Sequence, residues 1–262
     1  MKLDGAVCIV TGSSVGVGAA CAMQLARKGC RVVVNYTRSE TAARATLAQC
    51  EAAGAEAILV QGDVAIDADC RRIAARTLER WGRIDALINN AGITKFAAAD
   101  DLEGLSAEDF QCVYAVNVIG AYQMIRACVP SMKTAGMGTV VNISSMAGLT
   151  GLGTSTAYVA SKGALNAMTL ALARSLAPTI RVNAVAPGLI DTRWHIDRFA
   201  DRAAYEKFLE TYKASVPLAK VANAQDVADV ALWLLEGASH ITGEIIMVDG
   251  GRHLGKSQPR QL

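Results

Sequence analysis

The chain has 262 residues, 52% of them hydrophobic and 19% charged, which is enough for one large α/β domain or two small ones with a buried core. Its 26 basic side chains exceed the 24 acidic ones by only two, so no basic excess indicates a nucleic-acid or anionic-membrane partner. Only 5% of the residues are aromatic and small apolar residues abound, which favours helices on a buried parallel sheet over a β-sandwich.

Short β-branched runs alternate with longer alanine-rich segments along the chain. The short runs predict seven strands, at 6–10, 31–35, 57–60, 84–88, 138–143, 180–185 and 244–248. The longer segments predict six helices, at 17–28, 40–53, 67–81, 107–132, 157–177 and 224–236. Apolar strands separated by helices form right-handed crossovers, so we expect a Rossmann-like, doubly wound parallel sheet with helices on both faces.

No internal repeat or proline-rich linker interrupts this alternation, which predicts one domain over residues 1–254 and a polar tail at 255–262. Residues 189–220 have the longest irregular pattern and are expected to form a lid over the substrate. This segment carries the aromatic side chains Trp194, His195, Phe199 and Tyr205. Such rings favour a partly apolar substrate if they face the cleft, although they could instead pack within the lid or against another subunit.

The seven cysteines, at positions 8, 21, 30, 50, 70, 112 and 128, include no CxxC pair, and we expect reduced, packed thiols. The three histidines lie far apart without ligand spacing, so no metal site is expected. An apolar strand begins within six residues of the N-terminus, and no apolar run reaches the roughly 18 residues of a membrane span. These features predict a soluble, cytoplasmic protein.

Two motifs follow predicted strands at the edge where parallel sheets bind ligands. Residues 11–18 read TGSSVGVG, and glycines there let backbone N–H groups approach a pyrophosphate at the start of a helix. The spacing is G-x3-G-x-G instead of the commoner G-x-G-x-x-G, and a plain glycine turn is the alternative for this motif alone. Residues 89–92 read NNAG, where the asparagines could also be simple turn formers.

Tyr158 and Lys162 stand four residues apart on a predicted helix and therefore share a face. A free tyrosine has a pKa near ~10, and a neighbouring ammonium favours the phenolate, so the pair could exchange a proton with a substrate oxygen. Ser145 ends the fifth predicted strand thirteen residues before the tyrosine, and its hydroxyl could hold the same oxygen. Such a pair also occurs by chance on many amphipathic helices.

Taken together, these motifs resemble those of the short-chain dehydrogenase/reductase family, in its compact single-domain branch, and most nearly its 3-oxoacyl-carrier-protein reductases. The resemblance covers nearly the whole chain, about residues 2–251. The motifs occur in family order, as TGSSVGVG at 11–18, Asp63-Val64, NNAG at 89–92, Asn117, NISS at 142–145, YVASK at 158–162 and PGLIDT at 187–192.

The resemblance implies a catalytic role for four matched positions. Tyr158 would be the general acid in reduction and the general base in oxidation, while Lys162 would lower its pKa and bind the nicotinamide ribose. Ser145 would polarise the carbonyl oxygen, because the family spacing to the tyrosine selects it over Ser144. Asn117 would hold a water that relays protons to the lysine.

The same resemblance implies the cofactor contacts and the assembly. The implied contacts are Gly12, Ser14, Gly16, Val17 and Gly18 at the pyrophosphate, Asp63 and Val64 at the adenine, Asn90 near a ribose, and Ile190 and Thr192 at the carboxamide. The hydride would pass between the nicotinamide and a ketone or alcohol substrate, and the protein would supply positioning and proton handling. A homotetramer is implied as well, with helices 107–132 and 157–177 pairing at one interface and the last strand and helix at another.

The end of the second strand bears on cofactor choice. NAD-preferring relatives place an aspartate where this chain has Tyr36, and Thr37 and Arg38 follow with groups suited to a 2′-phosphate. A second basic residue of many NADP-preferring relatives is missing from the glycine loop, where Val15 stands. We therefore expect NADP(H) to be favoured and NAD(H) to remain possible, while a solvated Arg38 at the next helix is the alternative.

Other functions are weighed by the residues present. A non-catalytic dinucleotide sensor on this fold usually loses the tyrosine or the lysine, which are both present here. A sugar epimerase would need a larger C-terminal domain. Arg126 and Arg174 lie where acyl-carrier-protein reductases keep docking arginines, but they also fit solvated helix faces, so no carrier-protein partner is assigned.

Overall fold

The computed structural model describes residues 1–196 and 199–255, which form a seven-stranded sheet flanked by helices. The strands are β1 (Val7–Val10), β2 (Arg31–Tyr36), β3 (Ala57–Gln61), β4 (Ala86–Asn89), β5 (Gly138–Ile143), β6 (Ile180–Pro187) and β7 (Ile245–Val248). All neighbouring strands pair in parallel, in the order β3-β2-β1-β4-β5-β6-β7. The order reverses between β1 and β4, so the carboxyl edge at this point is the expected ligand site.

Ten α-helices lie among the described residues. They are α1 (Gly16–Arg27), α2 (Glu40–Ala52), α3 (Asp67–Trp81), α4 (Ala107–Tyr114), α5 (Ala121–Thr134), α6 (Ala147–Thr150), α7 (Thr156–Leu176), α8 (Arg193–Ile196), α9 (Arg202–Ala214) and α10 (Ala224–Glu236). A π-helical segment, Ala115–Gly120, joins α4 to α5, and a short 3₁₀ turn, Arg252–Leu254, follows β7.

Each face of the sheet has its own apolar core. Successive residues of a strand point to opposite faces, so Cys8 and Val10 pack with α1 and α10 while Ile9 packs with α3 and α5. Burial on both faces explains why the strands are continuous apolar runs, and the predicted doubly wound parallel sheet is confirmed.

Two predicted segments differ from the structure. The predicted helix 107–132 is divided by the π-helical segment, within which Asn117 lies. The expectation that residues 189–220 are irregular is wrong, because α8 and α9 occupy much of this lid. Helix α9 is stabilised by Asp201, whose carboxylate caps the N–H of Ala204, and by an Arg202–Glu206 ion pair on its exposed side.

One helical run among the described residues, Ala107–Thr134, is long and apolar enough to cross a membrane by length and composition. Polar residues are scattered along this run, so it contains no uninterrupted apolar stretch of about 18 residues. This is weak evidence for a membrane span, since core helices of soluble proteins pass the same test and this run packs against α3 and α7. Of the predicted tail, residues 256–262 lie outside the described residues.

Candidate active site

A cleft of about 1130 Å³ opens at the carboxyl edge of the sheet, between the glycine loop and the lid. Thirteen of the fourteen residues predicted for the cofactor, and three of the four predicted for catalysis, line this cleft. The predicted residues that line the cleft are Gly12, Ser14, Gly16, Val17, Thr37, Arg38, Asp63, Val64, Asn90, Ser145, Tyr158, Lys162, Ile190 and Thr192. Gly18 and Asn117 lie behind its wall.

The glycine loop leaves the start of α1 open to an anion. Gly12 and Gly16 both have a φ of +60°, a conformation that side chains rarely adopt. The N-cap residue is Val15, which supplies no side-chain hydrogen bond to the first turn. The N–H groups of that turn are therefore available, and the helix dipole favours negative charge there.

Gly18 has a packing role instead of a place in the cleft wall. A Cβ at this position would lie 2.4 Å from Nδ2 of Asn90 and 2.6 Å from the main-chain oxygen of Gly12. The Asn90 amide nitrogen donates hydrogen bonds to the main-chain oxygens of Thr11 and Gly12, at 2.9 and 3.0 Å. The missing side chain at Gly18 thus lets the NNAG turn hold the glycine loop.

Asn35, which the sequence analysis missed, anchors the same loop from β2. Its Oδ1 accepts a 3.0 Å hydrogen bond from Gly12 N, and its Nδ2 donates to the main-chain oxygens of Val60 and Gly62. The side chain is buried. An asparagine within the otherwise apolar run RVVVNY was the signal, since a buried amide needs partners.

The end of β2 presents one unpaired cation to the cleft. Arg38 is exposed and makes no ion pair with any part of the chain that the structure describes. Thr37 lines the cleft as well, but its hydroxyl donates a 3.2 Å hydrogen bond to the Gly62 carbonyl oxygen. Tyr36 is buried and leaves no carboxylate at the position typical of NAD-preferring relatives.

Tyr158 and Lys162 lie on one face of α7, as predicted from their spacing. The lysine Nζ is 5.6 Å from the centre of the tyrosine ring. Burial lowers the pKa of Lys162 to about 8. We expected the ammonium to lower the pKa of Tyr158, but burial raises that pKa, and a hydrogen bond with Ser145 opposes the rise. The phenol is therefore neutral at neutral pH.

The two adjacent serines have different environments. Ser144 is buried, and its hydroxyl donates a 2.6 Å hydrogen bond to Oδ1 of Asn166. The Ser145 oxygen accepts a 3.2 Å hydrogen bond from Ala147 N, and its hydroxyl lines the cleft beside Tyr158, with which it also hydrogen-bonds. Of the two hydroxyls, that of Ser144 is engaged with Asn166, while that of Ser145 faces the cleft.

Asn117 is brought close to the lysine by the π-helical segment. Both protons of its amide nitrogen are used, by the Ile93 carbonyl at 2.9 Å and the Ser161 hydroxyl at 3.0 Å, and its Oδ1 accepts from Ile93 N. A Cβ at Gly92 would lie 3.4 Å from this Oδ1 and 3.7 Å from the Lys162 Nζ. The space left by the glycine therefore borders both an acceptor and a cation.

Among the described lid rings, Trp194 alone lines the cleft. Its ring centre lies 6.4 Å from that of Tyr158, with the planes tilted by 54°. Phe199 and Tyr205 instead pack against each other, with ring centres 5.4 Å apart, so the lid-packing alternative holds for them. The side chain of His195 lies outside the described residues.

Several remaining side chains bear on metals and partners. Arg126 pairs with Asp67 and lies over the Tyr122 ring, so it is engaged within its own subunit. No group of three His, Cys, Asp or Glu side chains suited to a metal occurs in the described ranges. Six cysteines are buried and only Cys112 is exposed.

The whole chain can be compared with known proteins. Residues 12–253 match the model of the family described as Enoyl-(Acyl carrier protein) reductase. A candidate short-chain dehydrogenase/reductase from Burkholderia xenovorans has a similar crystal structure, with a TM-score of 0.89 and 41% identity, covering 96% of this chain and 99% of that one. The chain belongs to the short-chain dehydrogenase/reductase family.

Characterised and uncharacterised relatives of this short-chain dehydrogenase/reductase span several activities. A candidate ketoacyl reductase of the granaticin polyketide synthase, from Streptomyces violaceoruber, is 40% identical over 96% of this chain and 97% of the relative. A 3-oxoacyl-[acyl-carrier-protein] reductase from Synechocystis is 37% identical over 95% and 97%, respectively. The chain is therefore an oxidoreductase of the NAD(P)-dependent kind, as predicted.

The residues present fit a dinucleotide cofactor. The start of α1 carries no side-chain cap, the glycine loop has no side chains at Gly12 and Gly16, and the cleft is large enough for an extended ligand. The loop would hold the pyrophosphate, and Lys162 would hold a ribose at the other end.

Proposed function

We propose that this short-chain dehydrogenase/reductase interconverts a ketone or aldehyde with an alcohol and favours NADP(H). The observation that supports it best is the convergence of Ser145, Tyr158 and Lys162 in the same cleft as the open start of α1. A dinucleotide sensor would need the loop and could use Lys162 for a ribose, but it would have no use for the Ser145 and Tyr158 hydroxyls.

The proton chemistry follows from the protonation states. A bound nicotinamide would supply or accept the hydride, and the chain handles the proton. In reduction, the Ser145 hydroxyl donates a hydrogen bond to the carbonyl oxygen while the neutral Tyr158 phenol gives that oxygen its proton. The Lys162 ammonium stabilises the resulting phenolate, which would regain its proton from solvent through a water beside Gly92, between Lys162 and Asn117.

The preference for NADP(H) rests on Arg38. Its guanidinium is exposed, unpaired within the described residues and part of the cleft lining, which suits a forked contact with a 2′-phosphate. The other expected group, the Thr37 hydroxyl, already donates to Gly62, so it can only accept from a ligand. One cation gives a partial preference, and NAD(H) remains usable.

The substrate proposed is a ketone or alcohol with an apolar neighbouring group. Trp194, whose ring lies beside that of Tyr158, and Ile93 both line the cleft. Both side chains are exposed, so an apolar group of the substrate would bury part of their surface. Named relatives include ketoacyl and 3-oxoacyl reductases, which reduce such carbonyls, and also an L-rhamnose 1-dehydrogenase from Sphingomonas. Because Arg126 is paired with Asp67, a carrier-protein partner is not proposed.

We also propose a cytoplasmic homotetramer with one domain per chain. Ala167, Leu170 and Ala171 are exposed along α7, and small residues there permit close approach of a second helix. Ile119 is exposed on the neighbouring helical run. Light scattering should give about four times the 27.4 kDa of one chain, and a monomer at micromolar concentration would contradict the assembly.

The decisive experiment screens ketones and alcohols with both cofactors by nicotinamide absorbance, and then repeats the best reaction with Tyr158→Phe. Loss of the phenol proton should reduce turnover by at least about a hundredfold, while cofactor binding persists. Tyr122→Phe removes an exposed hydroxyl outside the cleft and is the control. Near-normal turnover of Tyr158→Phe would overturn the mechanism, and cofactor binding without any turnover in the wild type would favour the sensor.

A further inference from the structure

Two tyrosine hydroxyls of α9 hold the two ends of the short segment that follows β6. The Tyr212 oxygen accepts a 3.0 Å hydrogen bond from the main-chain N–H of Leu189. The Tyr205 hydroxyl donates a 2.7 Å hydrogen bond to Oδ1 of Asp191. The tyrosines are about two helical turns apart, so they project from one face of α9 and contact residues 189–191 together.

The opposite side of residues 189–191 is held by main-chain contacts. Ile190 forms a parallel bridge with Ala222, and the Asp191 N–H donates a 2.8 Å hydrogen bond to the Ala222 oxygen. Residues 189–191 therefore lie between α9 and the residues that lead into α10. Ile190, Asp191 and Thr192 all line the cleft.

The packing around each tyrosine fixes the direction of its hydroxyl. The Tyr205 ring is fully buried, with ring centres of Phe199 and Phe208 at 5.4 and 6.4 Å. Tyr212 can approach the segment because residue 188 is glycine, where a Cβ would lie 3.1 Å from the tyrosine oxygen. Neither tyrosine is among the described residues that line the cleft, so any effect on a ligand passes through residues 189–191.

We propose that Tyr205 and Tyr212 are positioning residues, whose hydroxyls hold residues 189–191 so that Ile190 and Thr192 meet the nicotinamide end of the cofactor. The proposal rests on the proposed function, since it requires a dinucleotide in this cleft. It explains why the lid contains a regular, capped helix where an irregular loop would suffice merely to cover a substrate. The two tyrosine hydroxyls thus fix the position of residues 189–191 relative to helix α9.

The test uses Tyr205→Phe and Tyr212→Phe, each of which removes one oxygen and keeps the ring. The dissociation constants of NADPH and NADH are measured with the full chain. We expect both to rise at least about threefold in each variant, the scale of one lost hydrogen bond. Energy transfer from Trp194 to bound NADPH should also fall at saturation, corrected with Trp194→Phe, because the residues before the tryptophan are released. Tyr122→Phe, which removes an exposed hydroxyl on α5, should change neither quantity.

A second measurement does not depend on a cofactor. Hydrogen exchange at the Leu189 amide should accelerate in Tyr212→Phe, because the amide loses its acceptor, and should stay unchanged in Tyr122→Phe. If the wild type binds neither dinucleotide, the proposed function fails while this exchange still reports whether the tyrosine holds the segment. Dissociation constants within threefold of the wild type in either variant, or unchanged exchange at Leu189, would overturn the positioning role.

Discussion

The Nζ of Lys162 donates a 2.8 Å hydrogen bond to the main-chain oxygen of Ile143, the last residue of β5. The lysine is only 4% exposed, and the carbonyl is the one hydrogen-bond acceptor that its ammonium contacts among the described residues. A single carbonyl replaces little of the hydration that a cation loses on burial, which is why burial lowers the pKa to about 8. The buried Lys162 ammonium therefore lowers the free energy of unfolding of the chain.

Lys162→Met should abolish the pH dependence that this cost creates. The folded chain releases the lysine proton near pH 8, whereas the unfolded chain holds it to the ordinary value of 10.5. Wild-type stability therefore rises between these values, because the unfolded state binds more protons there, by about 3 kcal/mol from this group. Urea unfolding at pH 7.5 and pH 10 measures the rise, which the variant should lack. Equal increments in the two proteins would contradict the burial argument.

Arg38→Ala should change cofactor choice more than it changes the fold. We expect the catalytic efficiency with NADPH to fall at least about tenfold, the scale of a charge-assisted hydrogen bond, with little effect on NADH. Arg44→Ala, an exposed arginine paired with Glu40 on α2, is the matched control. Equal or better use of NADH by the wild type would refute the preference, and loss of both activities in Arg38→Ala would indicate a structural role.

Gly18→Ala should destabilise the protein although it lies in a helix, where alanine is normally the better residue. The added Cβ would lie 2.4 Å from the Asn90 amide, and overpacking of this kind costs about 1–3 kcal/mol. Gly163→Ala makes the same change on α7, where the Cβ would lie 3.6 Å from its nearest neighbour, and should be neutral or stabilising. The melting temperatures of the two variants test this prediction. Equal melting temperatures would show that the NNAG turn moves aside for the new Cβ without a cost in stability.

Trp194→Ala should weaken binding of substrates that carry an apolar group. Loss of the indole contact predicts a Michaelis constant about tenfold higher for such substrates, with a smaller change for polar ones. Trp81→Ala removes a ring at the end of α3, outside the cleft, and serves as the comparison. An unchanged Michaelis constant for every active substrate would show that Trp194 is no wall of the binding site.

The strands were predictable because burial on both faces leaves a mainly apolar run, as in β1, although β5 also buries Thr139 and Asn142. The four-residue spacing of Tyr158 and Lys162 likewise predicted that they share one face of α7. The direction of the tyrosine pKa was not predictable, since it depends on how deeply the ring is buried and on where the ammonium points. Asn117 shows the same limit, because its partners come from residues far away in the chain.

The secondary structure of residues 189–220 was mispredicted for a local reason. Charged residues make up 11 of the 32 residues of 189–220. They concealed the helical spacing of Tyr205 and Leu209, which are the buried residues of α9. Asp201 was a readable N-cap signal. What no local pattern contains is the pairing of Tyr205 with Asp191, since those residues meet only when the segment after β6 turns back along α9.

Asn35 ties the glycine loop, which we propose receives the pyrophosphate, to β2, whose end we propose selects between the two dinucleotides. Its side-chain amide accepts a hydrogen bond from Gly12 N and donates to the main-chain oxygens of Val60 and Gly62. The Gly62 oxygen also accepts a hydrogen bond from the Thr37 hydroxyl. An engineer who grafted the β2–α2 loop of an NAD-dependent relative onto this chain would therefore alter the shape of the phosphate loop unless the asparagine were retained. A redesign of the cofactor preference would therefore exchange the glycine loop, the β2–α2 loop and the turn after β3 together. Asn35, which connects all three, would be kept.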